Sequence, residues 1–259
     1  MDRQEIAGNQ DTGLLKIIAL MCMIVDHVGA RLYPRVTELR ILGRVAFPLY
    51  MWCLVVGICF TRSRARYALR LLLVGLIAQP FYMLGLNHAW NQLSVFATLL
   101  LGYLGMWGIR ENRYGSRFWA PVLVLMAPCF VSMDYGWRGV LLIMLLYLSR
   151  RQRGAVLAVM VGYCLFWGAN SSAVQQVFGL SLREMSWYQL EFASCFLRLQ
   201  GMAVLAVPLM IWPRRRRTPL PKWVGYAAYP GHLLILWLVQ MALGVTTWQQ
   251  SLRLLIPRM

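Results

Sequence analysis

Apolar runs close to 20 residues long, separated by short clusters of arginine, recur along the whole of this chain. A helix crossing hydrocarbon needs about 20 predominantly apolar residues, because its backbone N–H and C=O groups must be satisfied within the segment. Reading for such runs gives nine candidate spans, roughly 13–33, 39–60, 66–86, 92–109, 117–133, 137–149, 154–168, 190–212 and 223–245. The sixth and seventh are short, so counts from eight to ten are admissible. The expected fold class is all-α, a polytopic integral membrane bundle of about nine transmembrane helices. Only 14% of the 259 residues are charged, against about a quarter in a soluble domain, and the mean hydropathy is +0.56. No polar stretch has room for a soluble domain, so residues 1–259 are expected to form one membrane domain. The longest polar connection, roughly 168–189, is long enough only for a surface element.

The opening MDRQEIAGNQDTG lacks the basic region and small-residue cleavage site of a secretory signal, so the first apolar run is expected to stay as a span. A net charge of +17 would suit a nucleic-acid binder, but the arginines lie between the apolar runs, which is a topology signal. Arg62, Arg64, Arg66 and Arg70 follow span two, and Arg110, Arg113 and Arg117 follow span four. Arg150, Arg151 and Arg153 follow span six; Arg214 to Arg217 and Lys222 follow span eight. The connections after spans three, five and seven are almost free of Lys and Arg. The positive-inside rule then places the amino terminus in the cytoplasm of a bacterial inner membrane, with lipid as the partner and no nucleic acid. One connection disobeys: Arg31, Arg35 and Arg40, with Arg44 just inside span two, fall on the outer side. Either that loop folds back and pairs its charges, or it binds an anion.

Ionisable groups inside spans are costly to insert and are candidate functional residues for that reason. Span one holds Lys16, Asp26 and His27. Lys16 and His27 are 11 residues apart and share a helix face, with His27 in the outer half. Asp26 and His27 point about 100° apart, so they do not form a dyad, and Asp26 is expected to pair with Arg44. His27 has two readings, a hydrogen-bonded bundle histidine or a general base titrating near neutral pH. In YAAYPGHLL, Pro230 and Gly231 are expected either to break the ninth helix and aim His232 into a cavity, with Tyr229 three residues away as its neighbour, or to kink it with aromatic packing. Pro48 and Pro80 likewise suggest kinks. Glu191 and Arg198 share a face and suit an ion pair; Gln79 is placed to satisfy a carbonyl freed by Pro80; His88 is expected to be exposed. Asp134 opens a turn favoured by Gly136 and Gly139. Arg62, Arg66 and Arg70 are candidates for cofactor phosphates, although topology alone accounts for them. Six cysteines lie within apolar runs with no CxxC pair, so neither a disulfide nor a metal site is expected. Walker, GxGxxG, HExxH and GxSxG patterns are absent in usable context.

The runs LLKIIALMCMIVDHVG (Leu14 to Gly29) and LGRVAFPLYMWCLVVG (Leu42 to Gly57) resemble the opening blocks of the TraX family. YALRLLLVGLIAQPFYML (Tyr67 to Leu84), DYGWRGVLLIMLLY (Asp134 to Tyr147) and YAAYPGHLLIL (Tyr226 to Leu236) are similar to later blocks, in order and over most of the chain. The resemblance implies an acetyltransferase. The family's best-known member acetylates the amino terminus of a conjugative pilin, and the family is similar to membrane acyltransferases that use acyl-CoA. It implies acetyl-CoA as donor, a pilin or other peptide as acceptor, and an acyl-transfer role for His27. Asp26 and His232 would join His27 as catalytic candidates. Lys16, Arg44, Arg62, Arg66, Arg70, Gln79, Tyr229 and Arg198 are the binding candidates. Two other classes stand beside it: a transporter or flippase for a small polar or lipid-linked solute, and a non-catalytic assembly factor of a conjugation or secretion apparatus.

Overall fold

A computed structural model describes residues 5–185 and 197–255. The described residues are overwhelmingly helical. In chain order they form α1 (Thr12–Arg31), α2 (Thr37–Gly43), α3 (Ala46–Phe60), α4 (Arg64–Leu86), α5 (Val95–Glu111), α6 (Ser116–Phe130), α7 (Gly136–Ser149) and α8 (Arg153–Gly168). A two-stranded antiparallel hairpin follows, β1 (Gln176–Val177) and β2 (Leu180–Ser181), in the connection expected to hold a surface element. After a 3₁₀ segment (Gln200–Ala206) come α9 (Val207–Ile211), α10 (Lys222–Ala242) and α11 (Trp248–Leu255). The chain divides into two compact units, one of Met1–Cys53 and Ser149–Pro219, the other of Leu54–Leu148 and Leu220–Met259.

In the first unit, α1 starts where the Asp11 carboxylate accepts the Leu14 N–H at 3.1 Å, meeting one donor that the first helical turn leaves open. Its buried residues, Leu15, Ala19, Met23, Asp26 and Gly29, are spaced by four, four, three and three. That is the period of one helix face, so the stripe that packs inward carries a carboxylate. Lys16 and His27 are each one residue off the stripe and are half-buried. The second apolar run is divided: α2 ends at Gly43, and α3 begins at Ala46 with Pro48 in its first turn, where a missing N–H costs little.

In the second unit, α4 is capped by Ser63 and ends at Asn87, whose φ of 60° suits a left-handed helix terminus. Pro80 does not interrupt it, and Pro230 does not interrupt α10, so the expected break at Pro230–Gly231 is corrected to a continuous helix. His232 Nδ1 lies 2.9 Å from the Ala228 carbonyl, a side-chain bond one turn back along the same helix. The Asp134 turn is present, with positive φ at Tyr135 and Gly136, and the Thr98 hydroxyl donates to the Asp134 carbonyl; Gly139, by contrast, sits inside α7.

Among the described residues, three helical stretches are long and apolar enough to cross a membrane: Thr12–Arg31, Thr37–Phe60 (α2 and α3 together) and Arg64–Leu86. Of the others, α10 has 21 residues and matches that length, while the rest are shorter, α7 having 14 and α5 having 17. At about 1.5 Å per residue, the shorter ones reach less than the ~30 Å of a hydrocarbon core. Nine full-length spans are therefore not what the helix lengths give. The outward faces are apolar nonetheless. On α4, Leu69, Leu72, Leu73 and Leu76 are exposed at one-face spacing. On α6, Phe118, Val122, Leu123 and Met126 are exposed in the same way. Surfaces of this kind call for lipid or protein around them.

Leu76 is 63% exposed near the middle of α4, so Leu76→Asp tests what surrounds that face. In hydrocarbon the carboxylate costs about 2.5–3.5 kcal/mol of apparent insertion free energy, read as reduced integration of the 64–86 segment in a translocon assay. In water the substitution would be nearly neutral.

Candidate functional site

The C-terminal part of the α1 stripe is built around Asp26, which is 7% exposed. Arg40 and Arg44 are four residues apart and project from one face of α2 and its C-cap. Arg44 Nη2 lies 2.5 Å from Asp26 Oδ2, and Arg40 Nη1 lies 3.0 Å from the same oxygen. Arg40 Nη1 also donates to the Asp26 backbone carbonyl at 3.1 Å. The expected Asp26–Arg44 pair is present, and Arg40 joins it. The arginines that break the alternating pattern are thus partly answered by a carboxylate on the preceding helix, which lowers the cost of holding any of these charges away from water.

Gly43 explains how the carboxylate gets so close. A Cβ on residue 43 would stand 2.1 Å from Asp26 Oδ1 and 2.4 Å from Cγ, so the acid occupies the space that a side chain would fill. Oδ1 is buried there without a hydrogen-bond partner. Gly43 and Arg44 therefore form one device, one residue making room for the acid and the next binding it. The sequence carries the signal as a Gly-Arg pair at a helix end, but the need for glycine shows only in the packing.

Arg44 also reaches the other way, Nη1 donating to Gln200 Oε1 at 3.2 Å. The Gln200 N–H donates to Ser171 Oγ at 3.1 Å, and Arg198 Nη1 donates to the Ser171 carbonyl at 2.9 Å. Backbone bonds from Val174 to Leu197 and from Leu199 to Ser172 zip these two segments together. Arg198 thus braces a loop; its expected partner Glu191 lies outside the described residues. Beside this network is a cleft of about 300 Å³ whose polar lining comes from Arg40, Thr37 and Ser172. Ala30, three residues beyond His27 and hence on the same face of α1, also lines it.

In the second unit, Tyr229 is buried between Phe96 and His232, with ring centroids 5.0 and 5.4 Å away, both edge-on. Because His232 Nδ1 faces a carbonyl, which can only accept, the neutral ring carries its proton there and its lone pair on Nε2. Gln79 makes a clamp across a loop, Nε2 donating to the Gln92 carbonyl at 2.8 Å and Oε1 accepting the Ser94 N–H at 2.9 Å. The carbonyl it satisfies belongs to that loop and not to its own helix. His88 is half-buried and stacks on Tyr82 at 4.7 Å, which corrects its expected exposure. Arg62, Arg66 and Arg70 are exposed; Arg70 sits 5.8 Å over the Tyr67 ring and donates from Nε to the Arg66 carbonyl. Their neighbour Arg64 pairs with Glu111.

A second buried carboxylate, Asp11, was not singled out by the sequence. It is fully buried at the start of α1 and accepts the Thr218 hydroxyl at 2.7 Å, the Thr218 N–H at 2.8 Å and Arg214 Nε at 3.0 Å. Burial alone would raise its pKa, but the bonds from Thr218 and Leu14 and the charge of Arg214 together hold it below its ordinary 3.8.

The TraX protein family matches residues 11–240. The chain belongs to the TraX family. The matched region of this TraX-family chain runs from Asp11 through the Asp26–Arg44 pair to Tyr229 and His232. An uncharacterized protein of Rickettsia prowazekii (strain Madrid E) is 24% identical over 204 residues, which cover 76% of this chain and 77% of that relative. A probable fimbrial assembly protein FimC, serogroup H1, of Dichelobacter nodosus is 40% identical over 72 residues, 26% of this chain and 30% of that protein. No solved structure matches.

Two stability outcomes follow from these carboxylates. Gly43→Ala overpacks the Asp26 pocket and is expected to cost about 1–3 kcal/mol, while Arg44→Ala strips a partner from a buried charge and costs about 3–5 kcal/mol. Denaturant or thermal unfolding in detergent measures both. Asp11 has a depressed native pKa, so its stabilisation is complete above about 3.8 and is lost as pH falls through the native value below it. Asp11→Asn should remove that part of the acid dependence in melts taken from pH 7 down to pH 3.

Proposed function

We propose that this chain is an acetyltransferase of a bacterial inner membrane that moves an acetyl group from acetyl-CoA to an exported or membrane-borne acceptor. The favoured acceptor is the amino-terminal amine of a pilin or similar peptide. In this reading the chain crosses the membrane nine times with its amino terminus in the cytoplasm, as the alternation of arginine-rich connections suggests. The shorter helices then cross with help from flanking residues or local thinning.

The observation that carries the reading is the family match over residues 11–240, which spans the blocks holding Asp26, His27, Arg44 and His232 in order. The similarity to a probable fimbrial assembly protein supports a pilin-related acceptor. His27 is the proposed general base. Its imidazole takes the proton of the amine as nitrogen attacks the thioester carbonyl. The C–N bond forms, the C–S bond breaks, and the departing thiolate takes the proton from the imidazolium. Asp26 does not share this work: its carboxylate is committed to Arg40 and Arg44, which fixes the helix that presents His27. The cleft beside Ala30 and Arg40 offers polar groups near the His27 face for an acceptor. In the other unit, His232, with Tyr229 packed against its ring, is a separate candidate for contacting the acceptor.

A second reading, a non-catalytic factor in fimbrial or conjugative assembly, is favoured by the same Dichelobacter relative. Labelled acetyl-CoA separates the two when purified protein is given a pilin amino-terminal peptide. The enzyme reading expects CoA release and peptide labelling, with a loss of about 10²- to 10⁴-fold in His27→Ala. Unaltered turnover in His27→Ala overturns the base, and no turnover by wild type with an intact peptide favours the assembly factor.

A further inference from the structure

Residues 5–11 are threaded between two arginine-rich connections that lie about 60 residues apart in sequence. On one side the Ala7 N–H donates to the Arg150 carbonyl at 2.9 Å, Arg153 Nε donates to the Ala7 carbonyl at 3.0 Å, and Glu5 faces Arg150 at 3.7 Å. On the other side the Asn9 N–H donates to the Met210 carbonyl at 2.8 Å and the Gln10 N–H to the Arg214 carbonyl at 2.9 Å. Asp11 then binds Arg214 and Thr218. Ile6, Asn9 and Asp11 are buried, and a Cβ on Gly8 would strike the Met210 carbonyl at 2.3 Å, so the segment fills a slot that fits it closely. Ala7 and Gln10 are three residues apart, at most about 11 Å of chain. The two connections are therefore held side by side.

The acids of this staple are used up by it, Glu5 on Arg150 and Asp11 on Arg214. Arg151, Arg153, Arg215, Arg216 and Arg217 are exposed around it, and residues 149–153 and 212–218 contain no Asp or Glu. The start of α1 adds the positive end of a helix dipole next to them. Charge on a connection needs only the orientation rule to explain it. A buried segment that gathers two such connections and neutralises only their innermost arginines calls for a polyanion.

We propose that this face of the first unit binds the phosphates of the acyl-CoA donor, which rests on the acetyltransferase reading above and relocates its donor site. The arginines at 62, 66 and 70 fit less well, since they are strung along one connection and the first turns of α4, with Arg70 laid over Tyr67 and Arg64 committed to Glu111. The new location lies in the same unit as Asp26 and His27. Donor phosphates and the proposed base then sit toward opposite ends of one helix, with 16 residues, or about 24 Å, between Asp11 and His27.

The test uses the full chain in nanodiscs of neutral lipid, titrated with CoA and with dephospho-CoA. Arg215→Lys/Arg216→Lys/Arg217→Lys keeps the charge that sets orientation but loses the guanidinium fork that grips phosphate, and CoA binding should weaken by about tenfold. Arg151→Lys/Arg153→Lys should weaken it in the same direction, while Arg62→Lys/Arg66→Lys/Arg70→Lys should leave it unchanged. Dephospho-CoA should bind more weakly than CoA to wild type. Unchanged binding in both first-unit variants overturns the location and leaves the acetyltransferase reading standing. No CoA binding by wild type overturns both. Loss of CoA binding on adding phosphatidylglycerol to the discs assigns the face to lipid headgroups and overturns the donor site.

Discussion

The carboxylate of Asp26 sits on the buried stripe of α1, where an isolated charge would cost several kcal/mol in desolvation. It is tolerated because two guanidiniums reach one of its oxygens and a glycine leaves room for the other. Much of the first unit is arranged around that requirement. Arg40 and Arg44 share one face of α2 and its C-cap, and the second apolar run is divided at Arg44 and Val45 into α2 and α3. Arg44 must also be held from behind, which ties Gln200, Ser171 and Arg198 into the same network. One buried acid thus joins α1, α2 and two loop segments that are distant in sequence.

The same pairing accounts for arginines that the positive-inside pattern leaves on the wrong side. Two of them lie against an acid and are less costly there than as isolated charges. Asp11 plays the matching part at the other end of α1, holding Arg214 and Thr218. The first apolar helix is consequently fixed near both ends by carboxylates, and His27, one residue from Asp26, is held at a defined position along it. The proposed role of His27 as a base would gain from such rigid support.

Several features were legible in advance, each for a local reason. The positions of α4 to α8 followed from apolar runs, because hydropathy is a property of consecutive residues. Asp26 with Arg44 followed from the rarity of charge in apolar runs: each had few other partners to find. The errors came where a local rule met a longer-range bond. A break is one expectation at Pro230, but α10 continues through it, with Tyr229 packed against Phe96 and His232. Gln79 was assigned to its own helix but clamps the loop at Gln92 and Ser94. His88 was read as exposed, and Tyr82 covers one of its faces. The roles of Gly43 and Asp11, and the partner of Arg40 although not its pairing, were hidden because their meaning lies in what they touch.

The amino-acid sequence by itself determined that the described residues are mainly helical and that the helices are strongly apolar, and its arginines supply the pattern from which an orientation is proposed. These follow from residue types and their period, which need no knowledge of the rest of the fold. Helix length was less well determined, since caps and loop clamps trim an apolar run in ways that composition does not record. Only the tertiary structure decided which arginines meet which acids, why residue 43 is a glycine, and that residues 5–11 join two basic connections. The physical reason is the same in each case: a buried charge is tolerated by partners that close approach supplies, and close approach is set by packing between segments that the sequence keeps far apart.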